Sequence, residues 1–243
     1  MKILVYSHNK QFKNYIKLCL EADDQNDVIF DYDDYLIDVA IIDLLNYKET
    51  NKVNFLIGCI NVNKIICLVN AKDLYLNSNC DKPFSVYKNF KVINEIGEKI
   101  LELENKIKTS DKKYVIFRVA ELYGPNIKFG LIFDLLTLRN VTVNEGYRDF
   151  LYEGDFISAI EVAMNHNVVG FFDIANEKII KIEELIKLVK EYRKSTININ
   201  IDEETVEIQY ECGNLKFYKW EPLVDLVNGI QFTQKLLKGG LNV

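Results

Sequence analysis

Apolar residues along this chain fall into short unbroken runs, separated by stretches in which they recur every three or four positions. KILVYS (2–7), DVIFDY (27–32), VAIIDLL (39–45), KIICLVN (64–70) and KYVIFRVAEL (113–122) are runs of the first kind. Such runs suit strands buried on both faces of a parallel sheet. QFKNYIKLCLEA (11–22) instead places Phe12, Tyr15, Ile16, Cys19 and Leu20 at helical spacing, and NKVNFLIGCIN (51–61) repeats that pattern. A long helix is predicted from about Val86 to Lys106, with Phe90, Ile93, Ile96, Ile100, Leu101 and Leu103 mostly on one side. Alternating strand and helix predicts an α/β fold, its parallel sheet covered on both faces.

The pattern changes after Gly124. IKFGLIFDLLTLRN carries a helix, VTVNEG and RDFLYEGD read as short strands and turns, and FISAIEVAMNH is a helix. VVGFFDIAN reads as a strand, KIEELIKLVKEYRK as a helix, and NINI and VEIQY as short β segments. Residues 126–243 are therefore expected to form mainly a smaller α/β lobe at the carboxyl ends of the sheet, with some segments returning to the sheet of residues 1–125.

Composition narrows the function classes. The 243 residues are 49% apolar and 27% charged, as in an ordinary folded domain. A net charge of -6 and a pI near 5.2 leave no basic footprint for nucleic acid. MKILVYSHNK is too short and polar for a signal peptide, and no apolar run approaches the ~18 residues of a membrane span. A cytoplasmic location is expected. The five cysteines form no CxxC pair, and His8 and His166 are the only histidines. Neither a metal site nor a Ser-His-Asp triad is indicated.

Four segments, in order, resemble motifs of the extended short-chain dehydrogenases/reductases, in the NAD-dependent epimerase/dehydratase branch that acts on nucleotide sugars. FRVAELYGPN (117–126) is similar to "R-P-x-N-V-Y-G-P", and GYRDFLYEGDFISAI (146–160) to "G-x-x-R-D-F-x-Y-V-x-D-x-x-x-A". FFDIANEKIIKIEEL (171–185) is similar to "F-N-I-G-x-x-x-x-x-S-x-x-E-L", and FYKWEPLVDLVNGI (217–230) to "L-G-W-x-P-x-x-x-L-x-E-G-I". The resemblance implies a Rossmann-like sheet with a C-terminal substrate lobe, NAD or NADP as cofactor and a nucleotide sugar as ligand. It also implies a homodimer through the helices at 51–61 and 86–106. The family's Tyr-x-x-x-Lys dyad corresponds to Tyr87 and Lys91, expected on one helix face, with lysine lowering the tyrosine pKa so that it serves as acid or base. Arg148, from "R-D-F", is the implied contact to the substrate diphosphate. Asp155 is read as a cap on the helix that follows it.

Departures from the pattern bear on the cofactor. Family members follow the first strand with Gly-x-x-Gly-x-x-Gly, which lets backbone N–H groups approach a pyrophosphate. Ser7, Lys10 and Lys13 stand at those positions here. Asp31 or Asp33 is the candidate for a ribose contact, but only a few residues separate it from DVAIIDLL (38–45), so one strand-helix unit of the cofactor half is expected to be missing. Ala71 stands at or near the active-site Ser/Thr, with Asn70 beside it as a substitute donor; Ser85 is a poorer one. Glu121 replaces the motif's asparagine and would repel a diphosphate. Two readings follow: a nucleotide-sugar epimerase, dehydratase or reductase with a remodelled NAD(P) site, or a non-catalytic sugar-nucleotide-binding or scaffold relative of the same fold, without cofactor.

Overall fold

The computed structural model describes residues 1–31, 36–45, 53, 57–58, 61–76, 83–86, 88, 90–92, 94–193, 196–212 and 215–239. Six parallel strands form the main sheet: β1 (Lys2–Tyr6), β2 (Asp27–Ile29), β3 (Ile37–Leu44), β4 (Val62–Asn70), β5 (Lys113–Val119) and β8 (Gly170–Ile174), in the order β2-β1-β3-β4-β5-β8. One register row crosses most of the sheet, Val5 beside Ile41, Ile41 beside Ile66 and Ile66 beside Val115. All four are fully buried, because both faces are covered.

Alternation along the strands assigns each face its partners. Ile3, Val5, Ile41, Ile66, Leu68, Val115 and Phe117 pack with Phe12, Ile16 and Leu20 of α1 (Lys10–Leu20) and with Phe156 and Ile160 of α5 (Glu153–Asn165). Leu4, Ala40, Ile42, Ile65, Cys67 and Ile116 face the other way, onto Ile100, Leu103 and Ile107 of α3 (Glu95–Thr109). The order resembles the doubly wound 3-2-1-4-5-6 sheet with no strand outside β2 among the described residues. No described helix is long and apolar enough to cross a membrane.

The second sheet has the order β10-β7-β6, with β9 added antiparallel to β7; its strands are β6 (Glu121–Tyr123), β7 (Asn140–Tyr152), β9 (Ile179–Lys181) and β10 (Asn198–Glu207). It packs with α4 (Leu131–Thr137), α6 (Ile182–Tyr192) and α7 (Leu226–Gly239) around Tyr123, Leu135, Phe150, Leu185 and Ile230. The two short segments expected at 141–146 and 148–155 are mostly one 13-residue strand. Gly146 reads as a turn, but it lies inside β7 at φ 108°, where an added Cβ would stand 2.1 Å from the Val206 carbonyl oxygen. Close approach by β10, not chain reversal, requires glycine there.

Two further expectations need correction. The helix expected from Val86 begins at Glu95, where Asn94 caps it by accepting from the Gly97 N–H at 2.6 Å. Phe84 instead forms a bridge with Tyr210, and the Val86 N–H donates to Asp173 Oδ2 at 2.5 Å. The expected dimer contact therefore has only Glu95–Thr109 as its described helix, with Glu95, Ile96, Glu98, Lys99 and Glu102 exposed. Asp155 does not cap its own helix. Its carboxylate accepts from the Leu223 and Val224 N–H groups, both at 3.0 Å, and its carbonyl accepts from Trp220 Nε1. The segment leading into α7 satisfies that carboxylate better than the α5 N-terminus, where it lies one turn too far in.

Gly229 of α7 meets the Tyr123 ring, and an added Cβ would stand 2.1 Å from Tyr123 Oη. Tyr123 is fully enclosed by the second core and cannot give way cheaply. Gly229→Ala is expected to cost about 1–3 kcal/mol by overpacking, read as a lowered midpoint in urea; an unchanged midpoint would mean the ring moves freely.

Candidate functional site

A cleft of about 390 Å³ lies between the carboxyl ends of the main sheet and the second lobe. Its described walls include Lys72 of α2 (Ala71–Tyr75), Glu121 of β6, Leu131 and Asp134 of α4, and Thr142, Val143 and Arg148 of β7. A narrower chamber of about 100 Å³ shares Lys72, Glu121 and Gly130 with it and ends on Leu45, Asn70 and Ala120, just beyond β3, β4 and β5. Ligands of open α/β sheets bind in this kind of crevice.

Arg148 is buried in the wall. Its Nη1 donates to the carbonyls of Tyr147 and Val206, and its Nε lies 3.6 Å from Glu121 Oε1. Nη2 has no hydrogen-bond partner among the described residues. Burial raises the Glu121 pKa, while Lys72 and Arg148 oppose that rise. The carboxylate expected to repel a diphosphate is thus paired with the arginine expected to bind one. Lys72 was missed by motif reading; only the three-dimensional meeting of α2 with β6 identifies it.

The β1–α1 turn is filled by its own side chains. Ser7 Oγ donates to Asp43 Oδ2 at 2.5 Å and accepts from the Asn9 N–H at 3.0 Å. Asn9 caps α1 by accepting from the Phe12 N–H at 3.1 Å. Asp43 is buried at the end of β3, and burial raises its pKa despite the Ser7 hydroxyl. A lone aspartate inside the apolar run VAIIDLL was a legible sign of such a partner. Asp43 Oδ1 accepts from the Leu45 N–H, and Asn70 Nδ2 donates to the Leu45 carbonyl at 3.4 Å. Asn70 Oδ1 is occupied by the Lys72 N–H, so this side chain ties β3 to β4 and caps α2.

The remaining candidates are dispersed. Lys13 lies over the Phe30 ring, its Nζ donating to the Phe30 carbonyl at 3.4 Å. Lys10 and Asp31 are exposed. Ala71 is fully buried, and Ser85 is buried beside the Phe84 bridge. Lys91 is exposed and precedes α3, so it lies on no helix face. Tyr87 and Asp33 lie outside the described residues.

The family-like motifs lock onto one another through buried carboxylates. Asp149 accepts from the Asn176 N–H at 3.0 Å, and Glu153 from the Asn126 N–H and Nδ2 at 2.9 and 2.8 Å. Asp173 accepts from Tyr75 Oη at 2.7 Å, and Arg118 binds Glu104 through two nitrogens. Burial pushes Asp149, Glu153 and Asp173 each up to about 7.

No protein-family model and no curated protein matches the sequence. Solved structures match the fold along the full length. MoeE5 in complex with UDP-glucose and NAD has a TM-score of 0.81 at 12% identity, covering 100% of both chains. The Bordetella bronchiseptica enzyme WbmG in complex with NAD has a TM-score of 0.78 at 14% identity, covering 99% of this chain and 94% of that one. UDP-glucose 4-epimerase from Thermotoga maritima with UDP-glucose has a TM-score of 0.72 at 17% identity, covering 100% of both. The chain has the Rossmann-like fold of the nucleotide-sugar epimerases and dehydratases.

Proposed function

We propose that this protein binds a nucleoside-diphosphate sugar in the cleft between its lobes and does so without a dinucleotide. The observation that carries the ligand is the Arg148 guanidinium in the wall of a cleft that Lys72 also lines. Similarity in fold to proteins solved with UDP-glucose supports the choice of ligand. The diphosphate would lie at Arg148 and Lys72, the base along Leu131 and Val143, and the sugar toward Asn70 and Ala120. Two cations there face three carboxylates, Asp73, Glu121 and Asp134, so binding is expected to be micromolar, not nanomolar.

A pyrophosphate does not fit the β1–α1 turn as built. Asn9 takes a first-turn N–H that would otherwise be offered to phosphate, Ser7 is directed at Asp43, and a buried carboxyl stands behind the turn. Both the backbone approach and the sign of the local charge are unfavourable. No hydride step is therefore assigned, and Asn70 and Lys91 become parts of the scaffold and surface.

Lys72→Ala is expected to weaken UDP binding about tenfold, as for loss of one charge-assisted contact, with the melting temperature unchanged. Equal affinity for UDP in the variant would remove Lys72 from the site. A second reading, an NAD(P)-dependent epimerase, dehydratase or reductase working through Tyr87, is favoured by the NAD in the similar structures. Turnover abolished by Tyr87→Phe in a folded protein would establish it.

A further inference from the structure

We propose that Glu121 makes the sugar end of the cleft reject anionic sugars, so that the ligand carries a neutral or amino sugar and not a uronic acid. The inference rests on the cleft reading above and deepens it.

Glu121 stands where the diphosphate-sized cleft narrows into the inner chamber, and it lines both. Its side chain is 13% exposed, so an ionic neighbour would be poorly screened by water. Arg148 is its only ion-pair partner among the described residues, at 3.6 Å, a distance that leaves the carboxylate's other lone pairs open to a ligand. An ionised carboxylate only accepts hydrogen bonds. Sugar hydroxyls and an ammonium group can donate to it; a sugar carboxylate cannot.

Other charges near the chamber reinforce this selection. Arg148 holds two carbonyls and Glu121 through Nη1 and Nε, and in the cleft reading its remaining Nη2 goes to the diphosphate, so it offers little to a sugar carboxylate. Asp73 and Asp134 line the wider cleft, adding negative charge beside Lys72. Among the described residues that line the chamber Lys72 is the one cation, and in the cleft reading the diphosphate takes it; Leu45, Asn70, Ala120 and Leu122 carry no charge. A uronate entering past Glu121 would bring its charge up to that carboxylate while Lys72 and Arg148 are held by the diphosphate, the type of mismatch that produces selectivity by exclusion.

Titration calorimetry of the full chain with UDP, UDP-glucose and UDP-glucuronic acid tests the proposal. The wild type is expected to bind UDP-glucose at least tenfold more tightly than UDP-glucuronic acid. Glu121→Gln is expected to bring the two within about threefold, by tightening UDP-glucuronic acid more than UDP-glucose. Wild-type affinities within twofold of each other overturn the proposal without needing the variant, and so does a folded Glu121→Gln protein that keeps the tenfold ratio. Absence of binding by UDP and UDP-glucose alike overturns the cleft reading itself, and the proposal with it; binding of UDP without discrimination between the sugars overturns only the proposal.

Discussion

Arg118→Ala is expected to cost about 3–5 kcal/mol, a large share of the ~5–15 kcal/mol that typically holds a domain together. Arg118 sits on β5 with its guanidinium under the carboxyl ends of the sheet. Its Nε donates to Glu104 Oε1 at 3.1 Å, its Nη2 to Oε2 at 2.7 Å and its Nη1 to Tyr75 Oη at 3.2 Å. Both charged side chains are buried, and the rings of Phe90 and Phe171 lie 5.0 and 5.4 Å from the guanidinium carbon. Removing the arginine strands the Glu104 carboxylate without water or partner. It also loosens Tyr75, whose hydroxyl holds Asp173 and, through it, the Val86 N–H. Replacing both partners, as in Arg118→Met with Glu104→Met, removes the stranded charge and is expected to be far milder than either single change. Urea midpoints of the wild type, Arg118→Ala, the two single methionine variants and the double variant check this; a loss of under about 1 kcal/mol in Arg118→Ala would show that the pair is dispensable.

Stability is expected to rise as pH falls from 8 to 6. Asp149, Glu153 and Asp173 each titrate at about 7 in the folded chain because burial penalises their charge, against about 4 in an unfolded chain. Between those values the folded protein holds protons that the unfolded chain has shed. Their stabilising contribution is thus present in full below about 4 and is lost as pH rises through about 7. Over pH 8 to 6 each group is worth about 1 kcal/mol, or several degrees of melting temperature for the three together. Asp149 Oδ2 is buried without a partner among the described residues, which makes it the natural seat of one such proton. Glu95, Glu102 and Asp225 are exposed and Glu183 is half-buried, all with lowered pKa values, so their effect belongs to more acidic solution. Melting temperatures that fall steadily from pH 8 to 6 would contradict this account.

The main sheet was legible because its signal is local. Each buried strand is an apolar run, and the helices α1 and α6 carry a clear stripe, Phe12, Ile16 and Leu20 in one and Ile182, Leu185 and Val189 in the other. The short spacing between Asp31 and β3 was equally legible, and β2 is the outermost described strand on that side of the sheet. What sequence misjudged depends on distant partners. Val86 to Lys91 has helical composition, yet Phe84 is drawn into a bridge with Tyr210, 126 residues away in the chain, and α3 starts only where Asn94 can cap it. Asp155 sits where a cap belongs, yet the backbone of Leu223 and Val224 takes its carboxylate. The site divides in the same way. Arg148, Glu121 and Asn70 could be named from the resemblance; Arg148 and Glu121 line the cleft, and Asn70 lines the chamber that shares Glu121 with it. Lys72 has no motif, and although Asp43 stands out in its apolar run, its partner Ser7 is identified only once β1 and β3 lie side by side.

The central claim is that the substrate crevice is kept while the dinucleotide turn is closed. Titration of the purified protein with UDP-glucose and, in parallel, with NAD tests it most directly. The account predicts micromolar heat for UDP-glucose and none for NAD up to millimolar concentration. NAD binding at low micromolar concentration, or NAD carried through purification, would contradict it and would mean that the turn formed by Ser7, Asn9 and Asp43 opens to admit a pyrophosphate.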